Sequence, residues 1–591
     1  MLTQLVHNGV LVPDPPAYHG LTLSLRGQTV RLTPRQEEMA LAWARKLGTP
    51  YVEDRTFARN FLGDFSQELG LERPLRLDEV DFAPAARVVE EEKAARERLT
   101  QEERKARAAA RKAVRESLRE QYGYAVVNGE RVELANFTVE PSSIFMGRGE
   151  HPLRGRWKAG AQQADVTLNL SPDAPRPAGD WAAIVWQPES LWVASWRDKL
   201  SGELKYVWLA DTAPVKQSRD ASKFDKAHEL EAQIEVVRVQ IQQDLADPQP
   251  RKRMLATACY LIDALCLRVG DEKDPDEADT VGATTLRPEH LTLHPDGMGE
   301  FRFLGKDSVL WHKKIPLPQA VWTNLDELRR SARPSRASRD GKPHPTRDKP
   351  QLFPDIGSQH VNAYLGRIMP GLTAKVFRTH HATMTVRESL AAAGVAAKDP
   401  DFRKWEAVSE ANLRAAELCN HYKQAPKNWK SSRSQFQERV ARAEARVKAA
   451  RQEVKALEEA LAGLRQEARK AREAASGKKG ASVAVRYEKK IALARRKVET
   501  ARERLQRAML AHGALRAQSA IAGRKRTWNL QTSLKSYIDP RIYHRWGVSV
   551  GYDVLARYYP KTLQRRFSWA REEDPQAGAG GDAEPGAPAE G

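Results

Sequence analysis

The stretch FQERVARAEARVKAARQEVKALEEALAGLRQEARKA, residues 436–471, decides the architecture of the carboxyl-terminal half of this chain. Its apolar residues recur at alternating steps of four and three, and a second stretch over residues 484–508 repeats the pattern. This heptad spacing predicts two helices that pack along one seam. Because only the break GKKG, residues 477–480, separates the seams, we expect an antiparallel coiled coil. Arms of about 35 residues would each reach roughly 50 Å.

The same segment carries most of the positive charge of the chain. Residues 431–526 contain 26 Lys and Arg against 10 Asp and Glu, whereas the whole chain has a formal net charge of +20. A charge run is usually only a solvated helix face, but so large an excess of one sign favours a polyanionic partner. Nucleic acid and an anionic membrane surface are the two candidates, and we interpret the segment as an arm that lies near DNA.

Several classes of protein are disfavoured by the sequence. No apolar stretch approaches the roughly 20 residues of a membrane-spanning helix, and residues 1–20 lack the pattern of a signal peptide. Cys259, Cys266 and Cys419 show no metal-ligand spacing, which predicts reduced, buried thiols. No HExxH, P-loop or glycine-rich dinucleotide motif occurs, so neither a metal site nor a nucleotide site is predicted.

Outward from the heptad segment, the patterns predict an α+β protein of several domains. Short strands with turns are predicted over residues 124–209, and a further β-hairpin around Pro295-Asp296-Gly297. The Arg-, Glu- and Ala-rich run over residues 86–121 predicts one solvated helix. The predicted domains are a mixed N-terminal lobe (1–203), a mainly helical lobe with the hairpin (204–430), the basic coiled coil (431–526), a small helical domain (527–570) and a disordered tail (571–591), with a surface insertion at 331–350.

Five residues with chemically competent side chains stand in distinctive contexts. Tyr537 lies in SYIDPR, residues 536–541, where Asp539 before a proline predicts a helix N-cap. The polar neighbours Ser536 and Asp539 make full burial of this tyrosine less expected. The other four residues are Arg268, Lys306, Arg378 and His421, of which the lysine follows a predicted strand in a tight turn. A tyrosine that attacks, cations that hold phosphate and a lysine that protonates a leaving oxygen suffice to cleave a phosphodiester without a metal.

Longer motifs surround these residues in a distinctive order. They are GRGEHP (147–152), GELKY (202–206), LRVGDEK (267–273), FLGKDS (303–308), GLTAKVFRT (371–379), LCNH (418–421) and YIDPR (537–541). With the coiled coil between the last two motifs, residues 5–570 resemble the eukaryotic-type DNA topoisomerase I family, the type IB enzymes. The resemblance implies a multidomain clamp, with a cap lobe and a catalytic lobe around duplex DNA. It also implies relaxation of positive and negative supercoils by transient cleavage of one strand, rotation and religation.

The resemblance further implies a role for each of the five residues. Tyr537 would attack phosphorus and form a 3′-phosphotyrosine, while Arg268 and Arg378 would stabilise the nonbridging oxygens. His421 would donate a hydrogen bond to the same phosphate, and Lys306 would protonate the leaving 5′-oxygen. Further contacts with DNA are implied at Arg148, Lys205, Asp307, Lys375 and Ser536.

Cofactors, partners and location follow from the same resemblance. No ATP and no obligatory metal is expected, because the phosphotyrosine link retains the bond energy; magnesium is expected at most to stimulate. The partner is duplex DNA, clamped by a monomer mainly through phosphates, and no membrane is expected. The chain lacks the long charged N-terminal extension of nuclear members, which favours a prokaryotic, nucleoid-associated protein of the cytoplasm, or a nuclear one if the source is eukaryotic. Ser536 stands where animal members carry asparagine, which puts sensitivity to camptothecin-type poisons in doubt.

Two other functions remain open on the sequence. A tyrosine recombinase shares the Arg, Lys, His and Tyr chemistry, but recombinases usually carry His-x-x-Arg around the second arginine. Here Lys375 stands three residues before Arg378, and recombinases lack the long helical hairpin. A non-enzymatic architectural DNA-binding protein, held by its basic arm, would need none of the five residues. Substitution of Tyr537 by phenylalanine separates an enzyme from such a binder.

Overall fold

The computed structural model describes residues 2–147, 151–271, 279–334, 349–474 and 477–571. This part of the chain is mixed α and β, as the sequence predicts, and divides into two compact units. The first unit comprises residues 1–223, 237–260 and 268–370, and the second comprises residues 224–236, 261–267 and 371 onward. The domain boundaries given above stay predictions. Within the described ranges, no helix combines the length and the apolar character needed to cross a membrane.

The first unit begins with two small sheets and a group of helices. Its elements up to residue 133 are β1 (Leu5–His7), β2 (Thr22–Leu25), β3 (Gln28–Arg31), α1 (Pro34–Ala44), α2 (Pro50–Glu53), α3 (Arg55–Glu68), β4 (Val80–Asp81), α4 (Ala83–Arg98), α5 (Gln101–Tyr122), β5 (Tyr124–Val127) and β6 (Glu130–Glu133). The sheets have the orders β3-β2-β4 and β1-β5-β6, and all their pairs are antiparallel. The rings of Trp43 and Phe61 stack at 4.6 Å in the core between α1 and α3.

The single helix predicted over residues 86–121 is wrong, because the chain forms α4 and α5 there with a break at Leu99 and Thr100. Thr100 caps α5: its hydroxyl accepts the Glu103 N–H at 3.2 Å, and the Glu103 carboxylate accepts the Thr100 N–H at 2.8 Å. This reciprocal capping box satisfies the first backbone donors of α5 and so favours a helix start at this point.

The remainder of the first unit is built from strands and a few helices. Its elements, with α6 and α7 contributing residues to both units, are β7 (Ser143–Ile144), β8 (Trp157–Lys158), β9 (Thr167–Asn169), β10 (Ala183–Val185), β11 (Trp192–Arg197), β12 (Leu204–Trp208), α6 (Pro214–Asp244), α7 (Pro250–Leu265), β13 (Leu291–Leu293), β14 (Met298–Gly305), β15 (Val309–Pro316), α8 (Gln319–Arg330) and α9 (Ser358–Ile368). The sheet orders are β10-β9-β11-β12, β13-β14-β15 and β7-β8. The hairpin predicted around Pro295-Asp296-Gly297 is confirmed as the antiparallel pair β13–β14. The short strands predicted over residues 124–209 include the antiparallel pair β11–β12.

The second unit is mainly helical. After its residues from α6 and α7, its helices are α10 (Ala374–Ala392), α11 (Asp401–Leu418), α12 (Trp429–Glu473), α13 (Gly477–Lys525), α14 (Leu530–Ser536), α15 (Pro540–Ser549), α16 (Val554–Arg557) and α17 (Lys561–Arg566). The predicted tail beyond Arg571 lies outside the described residues, as does most of the insertion predicted over residues 331–350.

Helices α12 and α13 pack side by side along the predicted apolar positions. The buried residues of this seam are Ala443, Val447, Val454 and Leu461 on α12 and Val498 and Ala501 on α13. Ion pairs join Glu458 to Arg502 and Glu453 to Arg504, so the two helices run in opposite directions. The predicted break over residues 477–480 is wrong, because α13 already begins at Gly477. A glycine inside a helix costs only about 1 kcal/mol relative to alanine, which a long helix tolerates.

Candidate active site

Tyr537 lies in the short link between α14 and α15. Its N–H donates to the Ser533 carbonyl at 2.9 Å, which closes the last turn of α14. Two residues later Asp539 caps α15, because its carboxylate accepts the Arg541 N–H at 2.9 Å and Pro540 occupies the first helical position. The predicted N-cap is therefore confirmed, and it sets the direction in which the chain leaves the tyrosine.

The expectation that polar neighbours keep Tyr537 from full burial is wrong. Tyr537 is 4% exposed and Asp539 is 1% exposed. The Asp539 carboxylate is buried at low cost because it accepts hydrogen bonds from His228 Nε2 at 2.9 Å and from the Arg541 guanidinium. Burial pushes the pKa of Asp539 up, but the hydrogen bonds from His228 and Arg541 outweigh this and hold the pKa below its ordinary value.

Two of the other predicted catalytic residues lie against the tyrosine ring. The Arg378 guanidinium carbon is 4.9 Å from the centre of the Tyr537 ring. The His421 ring stacks on the same tyrosine, with centroids 5.4 Å apart and 29° between the planes. Both residues are buried. The structure thus brings Arg378, His421 and Tyr537 together within the second unit.

Arg378, on α10, is anchored by backbone carbonyls. Nη1 donates to the Cys266 carbonyl, and Nη2 donates to the Cys419 carbonyl at 3.0 Å. Nε is buried and has no hydrogen-bond partner among the described residues. Burial works against the charged form, yet the neighbouring thiols and the tyrosine hydroxyl hold the pKa of Arg378 above its ordinary value. The guanidinium is therefore a fixed positive charge with donor capacity to spare.

Two hydroxyl groups that the sequence did not single out hold this cluster. Thr383 Oγ1, on α10, donates to the Tyr537 carbonyl at 3.2 Å and accepts the Asp539 N–H at 3.2 Å. Ser533 Oγ lies 2.8 Å from Nδ1 of His421. Because these partners are more than 100 positions apart along the chain, local sequence patterns give no signal for either contact.

Arg268 follows α7 and is held by a second piece of chain in the first unit. Its carbonyl accepts the Ala283 N–H at 2.9 Å, and the Val269 carbonyl accepts the Thr284 N–H at 2.8 Å. Gly270 has a φ of +82°, and a β-carbon there would lie 2.7 Å from the Gly282 Cα. Only glycine fits where the backbone at Gly270 passes so close to Gly282. Gly270 therefore allows the close packing that holds the backbone beside Arg268.

Lys306 is exposed in the tight turn between β14 and β15, as predicted. Lys205, on β12, pairs with Glu203 at 2.7 Å, and Lys375 is exposed near the start of α10. Ser536, half-buried, is the last residue of α14. Arg148 lies outside the described residues, and Asp307 occupies the same turn as Lys306. The roles of all these residues stay predictions.

Tyr537, Arg378 and His421 supply the hydroxyl, the cation and the ring nitrogen that an enzyme attacking phosphate through tyrosine requires. Comparison with family models shows which family of such enzymes the chain matches. The DNA binding fragment of eukaryotic DNA topoisomerase I matches residues 2–209, its catalytic core matches residues 212–454, and the C-terminal topoisomerase domain matches residues 513–577. The chain belongs to the eukaryotic-type DNA topoisomerase I family, as its motifs predict.

Curated relatives agree with the family models. DNA topoisomerase I, mitochondrial, of Pan troglodytes is 32% identical across 96% of this chain and 89% of its own length. DNA topoisomerase 1 of Homo sapiens is 30% identical across 96% of this chain and 70% of its own length. DNA topoisomerase 1 alpha of Arabidopsis thaliana is 32% identical across 97% of this chain, which spans 59% of the length of that relative. These relatives are eukaryotic, which is consistent with the nuclear alternative and gives no support to the predicted prokaryotic source.

Proposed function

We propose that this protein is a type IB DNA topoisomerase. It relaxes positive and negative supercoils by cleaving one strand, allowing the duplex to rotate and resealing the break. The observation that carries the proposal is the buried cluster of Tyr537, Arg378 and His421, in a chain that belongs to the topoisomerase I family.

The cleavage step is an in-line displacement at phosphorus. The Tyr537 hydroxyl gives up its proton to water as its oxygen forms a bond to phosphorus. The bond to the DNA 5′-oxygen breaks and that oxygen takes up a proton, which leaves a 3′-phosphotyrosine and a free 5′-hydroxyl. Negative charge grows on the nonbridging oxygens in the transition state. Arg378 is suited to stabilise that charge, because its two terminal nitrogens are anchored on backbone carbonyls. Its buried Nε–H has no acceptor among the described residues and could donate to the phosphate.

The remaining roles rest on the family resemblance. Arg268 shares the stabilisation of the nonbridging oxygens, His421 donates to one of them, and Lys306 protonates the 5′-oxygen. Religation reverses these steps and needs no ATP. No obligatory metal is needed either, because the required positive charge comes from side chains of the protein.

Duplex DNA is the proposed partner, clamped by a monomer of the chain. Affinity comes mainly from phosphates, so it falls steeply as salt rises and depends little on sequence. The DNA contacts implied by the resemblance belong to this proposal, as does a position near the duplex for the basic helices α12 and α13. The place of action is the chromosome, in the nucleus if the source is eukaryotic like that of the relatives.

Plasmid relaxation tests the proposal. Purified protein is incubated with supercoiled plasmid in EDTA without ATP, and the expected product is a ladder of relaxed topoisomers. Reactions stopped with denaturant are then digested, and the peptide joined to DNA is mapped. Attachment of a DNA 3′ end to Tyr537 is the expected result. Loss of relaxation in EDTA would contradict the metal-free mechanism, and strand exchange between paired sites would indicate a recombinase instead.

A further inference from the structure

Ser533 makes contact with two members of the proposed catalytic set. Its hydroxyl lies 2.8 Å from Nδ1 of His421. Its carbonyl accepts the Tyr537 N–H at 2.9 Å and the Ile538 N–H at 3.1 Å. The residue is fully buried. A single serine of α14 therefore joins the histidine ring to the backbone that carries the tyrosine.

The hydroxyl has a consequence for the proton on His421. In a neutral imidazole one ring nitrogen donates and the other accepts. When the Ser533 hydroxyl donates to Nδ1, the ring proton must reside on Nε2. A proton on Nε2 makes that nitrogen a donor, whereas a proton on Nδ1 would leave Nε2 with a lone pair that repels a phosphate oxygen.

The backbone of His421 restricts where its ring can go. Its N–H donates to the Ala416 carbonyl at 2.8 Å, and its carbonyl accepts the Asn529 N–H at 2.7 Å. With the backbone and Nδ1 both held, the orientation of the ring is set from three sides, including the stack on Tyr537. Such constraints are what a hydrogen-bond donor needs to be aimed before the substrate arrives.

Folding alone does not explain a hydroxyl at position 533. Alanine has the higher helix propensity and adds no polar atom to a buried site. The hydrogen bond to His421 offsets the cost of burying the hydroxyl. The reason for a serine at this position is therefore its pairing with the histidine.

We propose that Ser533 is a positioning residue for the cleavage reaction: its hydroxyl fixes the proton of His421 on Nε2, and its carbonyl holds the Tyr537 backbone. This inference rests on the function proposed above, because only a phosphate substrate requires that donor. Ser533 itself does not touch the reacting atoms in this scheme and acts through His421 and Tyr537.

A double-mutant cycle tests the action through His421. Ser533→Ala, His421→Ala and the double variant are compared with the unmodified protein in single-turnover cleavage of a DNA duplex. Ser533→Ala should slow cleavage about 10-fold, a coupling of the usual size for neighbouring groups. The dissociation constant for DNA should not change. In the His421→Ala background the same substitution should have less than about a twofold further effect, since groups that act as a unit are non-additive.

Ser549→Ala is the matched control for the cycle. Ser549 ends α15 in the same unit, and its hydroxyl donates to the Trp546 carbonyl at 2.8 Å on the exposed surface. Its removal should leave the cleavage rate unchanged. Independent losses for Ser533→Ala and His421→Ala, which multiply in the double variant, would overturn the proposal.

The tautomer of His421 gives a second measurement that does not depend on activity. In protein labelled with ¹⁵N-histidine, the His421 signals are assigned from the spectrum of His421→Ala. A protonated Nε2 beside an accepting Nδ1 is expected in the unmodified protein, and a mixture of tautomers is expected in Ser533→Ala. A proton on Nδ1 in the unmodified protein would overturn the proposal, even if a variant in the cycle failed to fold.

The two proposals fail in different ways. An unmodified protein that forms no covalent link to DNA would refute the topoisomerase function. An unmodified protein that cleaves DNA, with additive losses in the cycle or with the proton on Nδ1, would refute only the role of Ser533.

Discussion

The paired helices α12 and α13 and the segment of residues 533–541 differ in how the sequence specifies their structure. The helices are regular and largely solvated, and their interhelical ion pairs lie at the surface. The segment is short and irregular, and its buried polar groups contact α10, α6 and His421 in the loop after α11. A repeating pattern specifies the helices, whereas contacts between distant residues specify the segment.

The difference has an energetic side. Exposed ion pairs contribute about 0–1 kcal/mol each, because water and salt screen them. A buried donor or acceptor that loses its partner costs about 1–3 kcal/mol, and a lost transition-state contact lowers the rate directly. Substitutions in residues 533–541 and their partners should therefore have large effects, and substitutions in the paired helices small ones.

The largest effect is expected from Tyr537→Phe. The variant removes one oxygen and keeps the ring beside Arg378 and His421, so the fold should persist while the nucleophile is lost. Plasmid relaxation and the covalent adduct should both disappear, with DNA binding unchanged. Tyr487→Phe, which removes the same atom from α13, is the control and should stay fully active. Any adduct formed by Tyr537→Phe would show that another residue attacks the phosphate.

The second-largest effect is expected from Arg378→Lys, which should slow cleavage about 100-fold or more. Lysine keeps the charge, but its single nitrogen has no planar fork to reach the Cys266 and Cys419 carbonyls together. Single-turnover cleavage of a DNA duplex measures the loss. The control is Arg387→Lys on the same helix, an exposed arginine paired with Glu231. Equal rates for the two variants would mean that charge alone, and not the anchored geometry, serves the reaction.

Asp539→Asn addresses the burial of the segment. The folded pKa of Asp539 is lowered, so its ionised form stabilises the protein above the unfolded pKa, near 3.9, and this contribution is lost as pH falls through the folded pKa. The variant should therefore lose about 1–3 kcal/mol of unfolding free energy at pH 7 and progressively less below about pH 4. Urea unfolding at pH 7, 5 and 3 measures this. A deficit that stays constant down to pH 3 would exclude the ionised carboxylate as its source.

Thr383→Val tests the link from α10 to the tyrosine backbone. Valine matches the shape of threonine but cannot bridge the Tyr537 carbonyl and the Asp539 N–H. Cleavage should slow about 10-fold, since a missing bridge leaves two buried backbone groups without this partner. Thr383→Ser, which keeps the hydroxyl, should retain most of the rate. If serine and valine behaved alike, the methyl group and not the hydrogen bonds would matter.

The regular parts of the fold could be predicted from the sequence because local patterns specify them. Heptad spacing, alternating strands around Pro295-Asp296-Gly297 and the Asp-Pro start of α15 are local signals, and local signals predict local structure. The break at Thr100 could also have been found, because Thr100 and Glu103 form a capping box in the sequence itself.

The site was only partly accessible. The five predicted residues came from motifs, and two of them, Arg378 and His421, lie against a third, Tyr537. No motif indicated the supporting hydroxyls of Thr383 and Ser533, because Thr383 lies 154 positions from Tyr537 and Ser533 lies 112 positions from His421. The burial of Tyr537 was misjudged for a similar reason: the buried Asp539 carboxylate has a hydrogen-bond partner, His228, that is 311 positions away.

The smallest effect is expected from Glu458→Gln on α12. The side chains of Glu458 and its partner Arg502 are 42% and 65% exposed, so the lost ion pair should cost less than about 0.5 kcal/mol of unfolding free energy. Plasmid relaxation should stay within about twofold of the unmodified protein, because the pair is screened and touches none of the five predicted residues. A loss of relaxation as large as that of Thr383→Val would mean that the surface of the paired helices takes part in the reaction. The contrast between a patterned scaffold and a buried, non-local site would then no longer hold for this protein.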